Sequence, residues 1–507
     1  MNKDSLVSGG LPQLYGYLEM IALALVLLVL SYTIKRIFVR NTHGFIIANR
    51  QVGFGFGVGA VISAWTYAMA VLMSAGMTFQ WGLSGLLWFV VPNGFAVMAM
   101  IPFARILRRS MPNGYTIAEF IKHRFDDSRL ASGVVTLSVI LSILLAVLIN
   151  LKGLSIVMSV VFGIKPELAA TIGILCILAY SYFGGLWTSV ITGTLNTLML
   201  TVPSAIVVVA VYHFIPGGAD AVFSAVGEAN PQNLSVLRAD AAAGFGITLA
   251  FGLLTAVGDQ ALWQKVWSIR SREVTRVFFW AGALFYPIPI AAGMLGLVGI
   301  AYGLTPPDIG GDIVAIGPYI VSHLGLPVIL VLIYCLTILA ASYSSIDAAS
   351  SALSSVVAVD IVRRLWPDTN ERRLFLITKV SILSGGAVGL AILLTGIDFT
   401  SLVLTESSLR TAILVPFVLA IIWPRTSTIG FVGGVVLAII FGQTVRYFHG
   451  ELWGTLTTLA VSGGTVLVAG LLDGRKFDMA SLRNVRSEIG VDSTATAPIG
   501  QLETAKI

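Results

Sequence analysis

The segment Thr337–Arg364, TILAASYSSIDAASSALSSVVAVDIVRR, decides how the rest of the chain is read. It is apolar enough to lie in a bilayer, yet it is rich in hydroxyls, carries one acid inside it and ends on basic residues. Small residues from Ala340 to Ser355 cover several faces of a helix, so neighbouring helices can approach it closely. Packing does not explain Asp347, one turn beyond Ser344. A carboxylate at bilayer depth is costly and marks an ion or solute path. The segment therefore reads as one wall of a cation site, and the remaining chain as the frame that holds it.

Composition agrees. The 507 residues are 56% hydrophobic and 11% charged, where soluble domains carry about 25% charged residues. This is an all-α polytopic membrane chain. Its net charge of +6 resides in short loops between apolar runs, where bases set orientation, so nucleic acid is not expected as a partner. Cys176 and Cys335 lie inside apolar runs and form no disulfide framework. The five histidines are dispersed, no phosphate-cradling lysine motif occurs, and no nucleophile has a base beside it. Neither an enzyme nor an organic cofactor is expected, and the lipid bilayer is the one large partner. The N-terminal stretch lacks a basic leader and a cleavage signal, so the first apolar run is expected to be retained.

Spans need about 20 apolar residues, and thirteen runs qualify: 14–34, 53–78, 83–104, 130–162, 168–185, 187–214, 245–268, 275–303, 326–362, 373–396, 400–422, 427–448 and 452–472. Bases collect after alternate spans, among them Lys35, Arg36, Arg40 and Arg50, then Arg105, Arg108, Arg109, Lys122, Arg124 and Arg129, and finally Arg475, Lys476, Arg483 and Arg486. The opposite side has scattered bases such as Lys3, Lys165, Arg238 and Arg446. The basic side is expected to be cytoplasmic, with the N-terminus outside and the C-terminus inside. The loop 215–244 reads as a solvated excursion, and the tail 474–507 as disordered.

Two spans look discontinuous. The second begins glycine-rich and carries Ser63, Trp65, Thr66 and Tyr67 at its middle; the seventh carries Gly258, Asp259 and Gln260 there. Polar, glycine-bearing centres five spans apart are the pattern of paired broken helices in inverted-repeat transporters, where unwound backbone offers free carbonyls at the midplane. Each glycine alone reads equally well as a packing residue.

At these residues the chain resembles the solute:sodium symporter family. YSYFGGLWTSVITGTLN (Tyr180 to Asn196), DQALWQKVWSIRS and SSIDAASSALSSVVAVDIVRRLWP are similar to family motifs, in the family's order. SAWTYAMAVLMSAG and MPNGYTIAEFIKHRF look most like its urea and polyamine branch. The resemblance implies 13 transmembrane helices: a five-plus-five inverted-repeat core of the amino acid-polyamine-organocation type, one extra N-terminal helix and two extra C-terminal ones. The corresponding division is 1–50, a transport core 51–424 with repeats 51–214 and 245–424, then 425–473 and the tail.

The resemblance also implies a sodium site made by the carbonyls of Ser63, Thr66 and Ala341 with the hydroxyls of Ser344 and Ser345. Oxygen ligands suit a hard alkali cation. Many members carry an aspartate near Gly193, which is absent here; Asp347 is read as supplying that charge from the other wall, as part of the sodium site or as a second cation or proton site, the alternative being a carboxylate bonded to a neighbouring Ser or Thr for helix packing. For the solute, Asp259, Gln260 and Gln264 are expected opposite Trp65, Tyr67 and Ala70, a set suited to a urea-like amide. Glu406 and Arg410, four apart, share a helix face and pair with each other, or else Arg410 faces the cavity and favours a carboxylate. Lys152 is expected to snorkel or to answer Asp347 or Glu406. The resulting reading is sodium-coupled symport of a small polar solute by a monomer in a bacterial plasma membrane. Proton coupling, an amino acid such as proline or a short carboxylate as solute, and a sensor or channel-like protein are the alternatives.

Overall fold

The computed structural model describes residues 3, 6, 9–39, 41–396 and 399–485. Arg40, Arg486 and the tail beyond 485 lie outside the described residues. What is described is helical; the one strand-like pairing among these residues is a parallel bridge between Val52 and Ile269. Ten helices are long and apolar enough to cross a membrane, and one bent pair makes up to eleven.

In chain order the elements that frame the site are α1 (Gln13–Phe38), the bent pair α2 (Phe54–Trp65) and α3 (Ala68–Trp81), α4 (Leu83–Ser110), α5 (Ile117–Arg124), α6 (Arg129–Phe162) and α7 (Pro166–Phe214). They continue with α8 (Ile247–Leu254), α9 (Gln260–Ser268), α10 (Val274–Phe285), α11 (Pro287–Ala301), α12 (Val328–Val356), α13 (Glu371–Leu393), α14 (Phe399–Ile422), α15 (Thr428–His449) and α16 (Glu451–Asp473). The expected spans 168–185 and 187–214 are fused in α7. Its 49 residues would reach roughly 73 Å if straight, more than twice the about 30 Å of hydrocarbon. The chain turns instead at Gly185, whose φ of 55° and ψ of −149° interrupt the helix. Only a residue without a side chain holds that φ at low cost, and here the Phe45 carbonyl also leaves no room for one.

Every residue of α12 from Thr337 to Val356 is buried. The helix packs against α6 and α7 and touches α2 and α9, which is why its hydroxyls go all the way round instead of following one stripe. The seventh expected span is likewise in pieces: α8, a 3-10 turn over Thr255–Gly258, and α9.

Two loops differ from expectation. The excursion 215–244 contains a helix, Gly218–Ala229, that buries Val222 and Val226 and packs on α11. In the described start of the tail, Leu482 is buried, the Phe477 N–H bonds the Pro424 carbonyl at 2.9 Å, and the Arg124 guanidinium covers the Phe477 ring. Residues 477–485 are thus docked rather than disordered.

Candidate functional site

The first break falls at Thr66 and Tyr67, whose ψ values of 84° and 164° leave the helical range. Thr and Tyr are mediocre helix formers, but the break persists because its freed groups are answered. The Ala68 N–H, first donor of α3, bonds Asn150 Oδ1 at 2.8 Å, and Trp65 Nε1 bonds the Asn93 carbonyl at 3.2 Å. The freed carbonyls turn towards α12. Ser344 Oγ donates to the Ser63 and Ala341 carbonyls, both at 3.1 Å; Ser345 Oγ donates to the Thr66 carbonyl at 3.1 Å and reaches the Ser63 carbonyl at 3.4 Å.

Neutral carbonyl and hydroxyl oxygens are the ligand type that a hard alkali cation takes. Metal–oxygen bonds of about 2.3–2.6 Å, as in calcium sites, place ligands at right angles about 3.3–3.7 Å apart, close to the observed spacings. Hydroxyls that now donate to carbonyls need only rotate to present lone pairs.

A second cluster surrounds Arg410. Its guanidinium lies 2.8 Å from Glu406 and 3.3 Å from Asp259, and its Nε donates to Ser142 Oγ at 3.2 Å. Both acids are over nine-tenths buried. Asp259 also caps α9, because its Oδ1 accepts from the Ala261 and Leu262 N–H groups at 2.8 and 3.2 Å. Two carboxylates and one guanidinium leave the cluster with net charge −1. Trp65, Tyr67, Ala70, Asn93, Glu406 and Arg410 line a cavity beside it.

Residues 45–438 match the Sodium:solute symporter family. The chain belongs to that family. Like its relatives it is a multi-pass membrane transporter and not an enzyme. A probable urea active transporter of Schizosaccharomyces pombe is 26% identical over 86% of this chain and 70% of its own length. A urea-proton symporter of Oryza sativa is 20% identical over 88% and 68%, and a sodium/mannose cotransporter of Bos taurus 25% over 65% and 62%. In fold the chain is similar to a Na+-coupled sialic acid symporter solved in a substrate-bound outward-open state, with a TM-score of 0.76, 17% identity and coverage of 90% and 97%.

Within this family member the remaining singled-out residues divide. Asp259 and Gln260 line a neighbouring cavity together with Tyr67 and Ser345. The Gln260 amide, however, is engaged on the side of the basic loops, accepting from the Ile117 N–H at 3.0 Å and donating to the Tyr115 carbonyl and Ser355 Oγ. Gln264 lines neither cavity; its amide donates to the Ile46 and Ser351 carbonyls. Asp347 is turned to the bend of α7, where Oδ1 accepts from Ser181 Oγ at 2.5 Å, while its Oδ2 has no hydrogen-bond partner among the described residues. Among those residues Lys152 pairs with neither Asp347 nor Glu406. Gly193 lies against Ser63, and a Cβ there would meet Ser63 Oγ. Asn150, Ser142, Asn93 and Ser181 do not stand out in the sequence. The one signal they give is an amide or hydroxyl inside an apolar run, as Asn150 is in LLAVLINLKG.

Proposed function

We propose that this transporter couples the downhill entry of Na+ to uptake of a small uncharged polar solute, a urea-like amide, by alternating access to a midplane site. The observation that carries the reading is the convergence of the Ser63, Thr66 and Ala341 carbonyls with the Ser344 and Ser345 hydroxyls at spacings of 3.1–3.4 Å. The solute chamber is the cavity between Trp65, Tyr67 and Arg410. There the rings of Trp65 and Tyr67 cover an amide, Glu406 accepts its N–H groups and Arg410 faces its carbonyl. Because Arg410 is already answered by two acids, a carboxylate solute meets net negative charge. The yeast and rice relatives, both named for urea, support that solute.

The architecture is read as thirteen crossings. The ten long helices and the bent pair make eleven; α7 counts twice across Gly185 and α14 adds one. On this reading α1 precedes a core at 51–424, with repeats 51–214 and 245–424, while α15 and α16 follow it. The basic loops face the cytoplasm, with the N-terminus outside, the C-terminus inside and the monomer transporting alone in the plasma membrane.

A second reading, coupling to H+, is favoured by the name of the rice relative and by Asp347, an intramembrane acid with one oxygen unpartnered among the described residues. Uptake of labelled urea into proteoliposomes separates the two. Concentrative uptake driven by an imposed Na+ gradient supports the first, uptake driven by a pH gradient alone supports the second, and accumulation under neither removes urea as the solute.

A further inference from the structure

Arg410 lines three cavities in succession. One is the chamber of Trp65 and Asn93; the next holds Ser345 and Asp259; the third is lined by Ile117, Ser138 and Phe417 towards the basic loops. The guanidinium is held from four sides, by Glu406 on α14, Asp259 ahead of α9, Ser142 on α6 and the Tyr67 hydroxyl at the first break. Its planar fork makes such multi-point holding rigid.

We infer that Arg410 is a movable partition between these chambers. Held by Asp259, Glu406 and Ser142, it closes the passage from the Trp65 chamber to the Ser138 chamber, and the passage opens when it leaves Asp259. This rests on the transport reading and adds to it the residue that keeps solute flow tied to the cycle. An uncharged amide suits the exchange, since its N–H groups can replace the guanidinium on Glu406 while its carbonyl accepts from Arg410. The release also has a mechanical outlet. Asp259 caps α9, and the next residue, Gln260, clamps the Ile117 N–H at 3.0 Å and Ser355 Oγ at 3.2 Å on the basic side. Arg410 thus acts as a positioning residue through α9.

The test uses the double variant Arg410→Gln/Glu406→Gln, which keeps the cluster at net charge −1. Two readouts are taken beside the wild type. In proteoliposomes without a Na+ gradient, equilibration of labelled urea should be at least tenfold faster than in the wild type. In vesicles of one orientation, carrying Cys176→Ser, Cys335→Ser and a Ser138→Cys reporter, an impermeant maleimide is added on the face away from the basic loops. It should label the reporter at least tenfold faster in the double variant. Wild-type rates in both readouts overturn the partition. If the double variant moves no solute, the labelling rate alone decides, in the same two directions. A wild type that moves no urea under any gradient removes urea as the solute instead, and the labelling rate still judges Arg410.

Discussion

Asp259 and Arg410 face each other 3.3 Å apart at the break ahead of α9, and the carboxylate answers two groups at once. One oxygen holds the guanidinium and the other accepts from the first N–H groups of the helix. The two duties separate chemically, because asparagine also caps helices well. Asp259→Asn should keep the cap and lose the ion pair, whereas Asp259→Ala loses both. Thermal unfolding of the purified protein should therefore place the alanine variant below the asparagine variant by about 1 kcal/mol, the usual value of a cap. Equal stabilities would mean that the cap contributes nothing here.

Asn150 is the support of the first break. Its Oδ1 answers the Ala68 N–H, which would otherwise be an orphan donor deep in the bilayer. Asn150→Leu should destabilise by about 1–3 kcal/mol, the cost of a buried unsatisfied group. Melting curves in detergent would show the loss, and a leucine variant as stable as the wild type would count against this role.

Ser63 of α2 lies so close to Gly193 that a Cβ there would meet its hydroxyl. Gly193→Ala should turn that hydroxyl away from the Ala60 carbonyl, 3.2 Å from it, and destabilise by about 1 kcal/mol, the worth of one hydrogen bond. Melting curves in detergent check this, and an alanine variant as stable as the wild type would count against the contact.

Much of the frame was legible because its signals are local. Glycine and polar residues at Trp65–Tyr67 and Gly258–Asp259 announce breaks that the backbone makes there, and the hydroxyls of Ser344 and Ser345 announce a polar wall. The rest depends on tertiary neighbours. Nothing around Arg410 says that its second partner is Asp259, 151 residues away in the chain, so the i,i+4 pair with Glu406 was visible and the three-way cluster was not. Asp347 shows the same limit: sequence spacing puts it on the face of Ser344, but the bend at Gly185 brings Ser181 to meet it. The docking of residues 477–485 was hidden because a polar composition does not reveal a single buried Leu482.

The most direct test is equilibrium binding of 22Na+ to the purified protein and to Ser345→Ala and Ser345→Thr. Removing one ligand hydroxyl costs about 1–3 kcal/mol, so the alanine variant should bind sodium about five- to a hundred-and-fortyfold more weakly, and the threonine variant, which keeps the hydroxyl, should stay near the wild type. Saturable binding with that order is the predicted result. Saturable binding of equal affinity in the alanine variant, or none in the wild type, would contradict a sodium site between the first broken helix and α12.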